Sequence, residues 1–133
     1  MKSSLIITAL SIAFAFCLAV VTTPTAEATD ESDFAADTAG QLANLCSTAS
    51  DNPDYVAAIH FCEGFLVGAY RYHLASLDGP GMQKVVCLPK PVPSRDNAAG
   101  NFVTWLEAHP RYRNDNAVEA QFKWLTDTWP CQR

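Results

Sequence analysis

Four cysteines, Cys46, Cys62, Cys87 and Cys131, follow an apolar N-terminal run, and this arrangement restricts the chain more than any other feature of its sequence. Lys2 gives the run a positive start, Leu5 to Val21 are almost continuously apolar, and Thr25-Ala26-Glu27-Ala28 ends in an A-x-A cleavage pattern. Together these read as a cleavable secretory signal over residues 1–28, leaving residues 29–133 as one mature domain. The run is short of the roughly 20 apolar residues that a retained spanning helix needs. Cys17 is preceded by Phe16 rather than by the small residue a lipid-attachment site requires, so it should leave with the signal. Four cysteines in an oxidising compartment then predict two disulfides, chosen from three possible pairings.

The charge balance narrows the partners. The chain carries 9 basic and 14 acidic residues for a net charge of −5, and removing Lys2 and Glu27 leaves that value unchanged. Such an acidic domain is a poor match for nucleic acid or anionic lipid and a better one for a basic protein.

The spacing of apolar residues predicts an all-α fold, a compact four-helix domain stapled by two disulfides. Beyond a frayed leader at residues 29–32, Asp33 is a plausible cap for a first helix carrying Phe34, Leu42, Leu45 and Cys46 and ending near Ser50. Asp51-Asn52-Pro53-Asp54 forms a turn and starts a second helix that reaches about Leu77. That helix is apolar on nearly every face, the pattern of a central element surrounded by others. Gly64 and Gly68 lie four apart on it, and close approach of another backbone, within the chain or across a subunit interface, is the expected reason for tolerating both. Asp78-Gly79-Pro80-Gly81 opens a loop that runs through Cys87-Leu88-Pro89 to Pro93. Ser94 caps a third helix that stops at His109-Pro110. Asn114 or Asn116 caps a fourth, with Glu119 three residues beyond Asn116 in capping-box register. In this layout Cys46 and Cys62 flank the first turn and stand abreast in an antiparallel hairpin. The pairing is therefore Cys46 with Cys62, leaving Cys87 with Cys131 to fasten the C-terminus to the long loop.

Catalytic readings find little support. His60 and Glu63 share a face of the second helix, but a metal needs a third and usually a fourth donor, and His73 lies more than three turns away. A Cys62 nucleophile is ruled against by its expected disulfide, which has no thiolate to offer. The sequence has no nucleophile elbow, phosphate loop, zinc-protease helix or dinucleotide fingerprint. No catalytic residue, metal or cofactor is therefore expected. Trp105, Trp124, Trp129, Tyr70 and Tyr72 read as core and rim rather than as a ligand groove.

The chain resembles the Rap1a/Tai immunity proteins, small periplasmic helical proteins associated with type VI secretion. The resemblance is carried by Cys62-x-Gly64-Phe65-x-x-Gly68, Cys87-Leu88-Pro89, Trp105-Leu106-x-x-His109-Pro110 followed by Arg113, and the closing Pro130-Cys131. It implies a periplasmic binding protein, often dimeric, that neutralises a peptidoglycan amidase effector by occupying its active-site cleft. In the family this is the work of a protruding loop, not of the shared motif residues. Two segments here have the character of such a loop. One spans Asp78 to Lys84 and contains Met82, Gln83 and Lys84; the other joins two helices and clusters His109, Arg111, Tyr112 and Arg113. The alternatives are a periplasmic chaperone of the acid-stress type, which exposes apolar surface on acidification, and an envelope protein with no toxin partner.

Overall fold

Thr38 begins the first α-helix because its hydroxyl accepts from the Gln41 amide while Gln41 Oε1 accepts from the Thr38 amide, a reciprocal cap at 3.3 and 3.1 Å. The computed structural model describes residues 29–132, so the expected export signal lies outside the described residues. Within them the chain forms α1 (Ala39–Cys46), α2 (Tyr55–Ser76), α3 (Arg95–Ala108) and α4 (Ala117–Thr128), with no strand beyond two isolated bridges. The fold is the all-α, four-helix arrangement that the spacing predicts.

The N-terminal part departs from expectation. A single helix from Asp33 to Ser50 is replaced by a 3-10 helix, Glu31–Ala35, a left-handed residue at Ala36 (φ 46°), and the separately capped α1. The reason is local competition: Asp30 and Thr38 each build a capping box of their own, and two caps make two helices. Residues 29–32 are correspondingly tied down. Asp30 caps the 3-10 helix, and the Thr29 hydroxyl bonds to the Asn44 carbonyl. Asp33, expected to be the cap, is instead buried, accepting from the Asp30 amide and from Asn44 Nδ2.

The second correction concerns which helix is central. It is α1, buried at Ala39, Gly40, Leu42, Ala43, Leu45 and Cys46 and packed against all three other helices. The longer α2 buries only Ala58, Cys62 and Leu66 and leaves Val56, Phe61, Tyr72 and Leu74 exposed. Its apolar residues outnumber what one buried stripe can use, so the surplus faces outward.

The rest of the core comes from Ala99, Phe102 and Leu106 of α3 and Ala117, Ala120, Trp124 and Leu125 of α4. Phe102 meets Trp124 edge to face at 5.6 Å, and Trp124 meets Trp129 in the same way at 5.5 Å. Ser94 caps α3 through the Asn97 amide, and Asn116 caps α4 through the Val118 and Glu119 amides. The α4 cap is one-sided, since Glu119 makes no return bond to Asn116.

Both disulfides pair as expected. Cys46–Cys62 joins α1 to α2 with Cα atoms 5.2 Å apart, and Cys87–Cys131 joins the long loop to the C-terminal segment at 4.9 Å. The second is reinforced by backbone: Val86 pairs with Pro130, Cys87 N donates to Trp129 O at 2.9 Å, and Cys131 N donates to Val85 O at 3.3 Å. Val86 itself is fully buried, so a short two-stranded clamp pins this region onto the core.

Candidate functional site

Residues 77–85 leave the end of α2 and return to that clamp. Gly79 N donates to Ser76 O at 3.0 Å and Met82 N to Gly79 O at 3.4 Å, giving the segment a folded shoulder. A Cβ on Gly79 would sit 3.1 Å from Ser76 O, and Gly81 takes a left-handed φ of 78°, so both glycines are required by the path of the turn. Asp78, Met82, Gln83 and Lys84 are all exposed. The segment thus combines a fixed base with side chains facing solvent, the geometry of a presented binding loop.

The second candidate has different surroundings. Trp105, on the last turn of α3, stacks on His109 with ring centroids 4.7 Å apart and on Tyr112 at 5.3 Å, nearly parallel. His109 Nδ1 is 2.7 Å from the Trp105 carbonyl, and the Arg111 guanidinium lies over the Tyr112 ring at 4.7 Å. Arg111 is exposed, whereas Arg113 is half-buried with Nη2 3.4 Å from Asn44 Oδ1. The backbone here has a structural task. Gly40 N donates to Arg113 O, Ala39 N to Asp115 O, and Ala117 N to Asp37 O. The otherwise orphaned amides at the start of α1 are thereby satisfied by residues 113–115, which makes this connection part of the frame.

His60 and Glu63 do not gather further ligands. No group of three His, Cys, Asp or Glu residues among the described residues is placed to hold a metal ion. Glu63 instead lies beside Asp96 at the start of α3. Partial burial and then this second carboxyl raise its pKa, opposed by Arg95 and His60. No helix among the described residues is long and apolar enough to cross a membrane.

Three features escaped the sequence reading. Gly64 and Gly68 have nothing within 4 Å of where a Cβ would stand, so no other backbone among the described residues packs against them there. The close approach occurs at Gly40, where a Cβ would lie 3.1 Å from Arg113 O. Nothing local marks that glycine, although Thr38-x-x-Gln41 was a readable helix start. Tyr72 is neither core nor rim: at 79% exposure it stands in solvent. It flanks a shallow groove formed by Gly68, His73, Met82, Val118 and Phe122, which joins the open face of α2 to the loop at Met82.

No curated protein matches the chain, and no solved structure does. A family model does match, over residues 38–131, from the cap of α1 to the last cysteine, and it describes Rap1a immunity proteins. The matched span takes in the four helices, both disulfides and both candidate segments. The chain belongs to the Rap1a immunity protein family.

Proposed function

We propose that this chain is a periplasmic protein that blocks a type VI secretion peptidoglycan amidase effector by placing residues 78–84 in the effector's active-site cleft. Family membership makes it an immunity protein against a secreted effector. The amidase target, the periplasmic location and the cleft-blocking mode are the further step.

The observation that carries the proposal is the loop itself. Met82, Gln83 and Lys84 are exposed on a segment fixed at its base by the Cys87–Cys131 clamp and at its shoulder by Gly79 and Gly81. Pre-ordering of this kind lowers the entropy lost on docking and so converts more of the contact into affinity. Met82 supplies an adaptable apolar probe, with Gln83 and Lys84 as polar anchors. The second segment, His109, Arg111, Tyr112 and Arg113, stands as the alternative contact surface, with the Arg113 carbonyl also holding the Gly40 amide at the start of α1. The protein acts by occupancy and does no chemistry of its own.

A homodimer paired through the open face of α2 accompanies this reading. Gly64 and Gly68 permit a second helix to approach, and Phe61 and Tyr72 border them with exposed apolar area.

The test is inhibition of a cognate type VI peptidoglycan amidase, with wall-peptide cleavage as readout. The oxidised mature protein should abolish cleavage at a stoichiometric ratio, and Met82→Ala/Gln83→Ala/Lys84→Ala should restore most of it. Full inhibition by the triple variant would reject the loop.

A further inference from the structure

Asp33 is an acidic side chain inside the fold, 4% exposed, and it makes no ion pair among the described residues. Its Oδ2 accepts from the Asp30 amide at 3.0 Å and its Oδ1 from Asn44 Nδ2 at 3.1 Å, both neutral donors. A buried carboxylate held only by neutral donors is stabilised by any positive charge brought near it. The end of α1 has the same need, since its last turn carries no basic residue to complement the carbonyls there.

Thr29 stands between these two features. Its hydroxyl donates to the Asn44 carbonyl of α1 at 3.1 Å and meets the hydroxyl of buried Thr48 at 2.5 Å, while the amide that follows it, Asp30, is the one Asp33 holds. Consecutive backbone nitrogens are at most about 3.7 Å apart, and a threonine's nitrogen and hydroxyl are no farther from one another. The Thr29 nitrogen therefore lies within about 7 Å of both Asp33 Oδ2 and the Asn44 carbonyl oxygen. While Ala28 is attached, that nitrogen is a neutral amide. Hydrolysis of the Ala28–Thr29 bond leaves a carboxylate on the leader and an amine on the domain, and an α-amine, with an ordinary pKa of about 7.7–8.0, is protonated at neutral pH. The charged groups around it are Asp30, Glu31 and Asp33, with Arg113 at the other end of the Asn44 amide opposing them.

We infer that the α-ammonium of Thr29, released by cleavage after Ala28, is a structural cation of the mature domain, so that removal of the leader stabilises the fold and the uncut precursor is its less stable form. The inference rests on the expected cleavage position. It is independent of effector binding through residues 78–84.

The experiment compares thermal melts of the oxidised domain beginning at Thr29 with those of the same domain preceded by Gly-Gly, which keeps the Thr29 nitrogen in an amide and moves the ammonium away. Thr29 makes its contacts with the Ala28 peptide bond intact, so the extension leaves its hydroxyl bonds in place. The form beginning at Thr29 should melt about 2–6 °C higher at pH 6.5 and low salt. An amine attracted in the folded state titrates above its ordinary value, so the advantage is complete below about pH 7.7 and is lost as pH rises through the folded value, by about pH 10. Salt at about 0.5 M should reduce it, and Asp33→Asn should remove the larger part. Where Asp33→Asn fails to fold, the pH and salt dependence of the two unsubstituted chains still decides. Equal melting at pH 6.5, or a difference that persists unchanged at pH 10, would overturn the inference, as would an exported protein whose N-terminus, read by mass spectrometry, is not Thr29.

Discussion

The amide of Gly40 donates to the carbonyl of Arg113 at 2.8 Å, so the second residue of α1 is held directly against the connection between α3 and α4. A methyl group would be crowded there, since a Cβ would stand 3.1 Å from that same carbonyl oxygen and could be accepted only if the two backbones moved apart by a few tenths of an ångström. Gly40→Ala should therefore destabilise the fold by roughly 1–2 kcal/mol, the overpacking penalty exceeding any gain in helix propensity in the first turn. Chemical denaturation of the oxidised protein checks this; a midpoint at or above that of the wild type would contradict it.

The opposite sign applies on α2. Gly64 and Gly68 face open space in helix interior, so Gly64→Ala and Gly68→Ala should each stabilise the isolated chain by about 0.5–1 kcal/mol. If two copies pair across this face, the added methyl groups should also weaken the dimer. Melting at low concentration and sedimentation at high concentration separate the two effects. Unchanged assembly in both variants would remove the pairing from the proposal while leaving the loop untouched.

Glu63 gives a pH-dependent prediction. Its carboxyl titrates above the ordinary value because of partial burial and the adjacent Asp96. A raised folded-state value means that the favourable contribution is complete below the unfolded pKa of 4.5 and is lost as pH rises through the folded one. Glu63→Gln should thus raise the melting temperature at pH 7, by an amount worth under about 1 kcal/mol, and lose that advantage below pH 4.5. Thermal melts at pH 7 and pH 4 test it. The same sign bears on the acid-stress alternative: acidification relieves this pair, so it gives the chain no trigger for opening in acid.

The disulfides should differ in what they protect. Chain-entropy arguments assign about 3 kcal/mol to the bridge with a sequence separation of 16 and about 4 kcal/mol to the one with 44. Cys46 and Cys62 are also buried in the core, so Cys46→Ala/Cys62→Ala should lower both stability and near-ultraviolet dichroism. Cys87→Ala/Cys131→Ala should leave the α1–α4 core folded at moderate temperature but free the base of the 78–84 loop. Its signature is a loss of effector inhibition larger than the loss of helicity, and proportional losses would count against a presenting role for the clamp.

Much of the frame was readable because its signals are local. Ser94 and Asn116 do cap helices, α2 and α3 start and stop within two residues of where Pro53, Asp78, Ser94 and Pro110 place them, and a hairpin of neighbouring helices forces Cys46 onto Cys62. The failures concern what lies opposite a residue. Gly40 and Gly64 look equally suited to a close backbone contact, yet only Gly40 has one, because the partner carbonyl comes from a residue more than seventy positions away. An apolar α2 looked central for the same reason: composition gives a helix its faces and says nothing of how many of them find a neighbour. Of the candidate site, the glycines of the turn marked the 78–84 loop. In the 109–113 cluster the residue types suggested a hot spot, while the bond from the Gly40 amide to the Arg113 carbonyl, which ties the segment's end to α1, had no local signal.

The clamp at Val86 and Pro130 also bears on how such a protein could diversify. Because the chain re-enters the core behind the loop at buried Val86, the exposed residues 82–84 can change without touching Val86 or the Cys87–Cys131 bridge, while Gly81 keeps the turn. Loop closure grows costly only slowly with length, about 0.6 kcal/mol for each doubling. On the proposed reading of the loop, a lineage confronted with a new toxin could therefore redraw the tip while inheriting the mount unchanged.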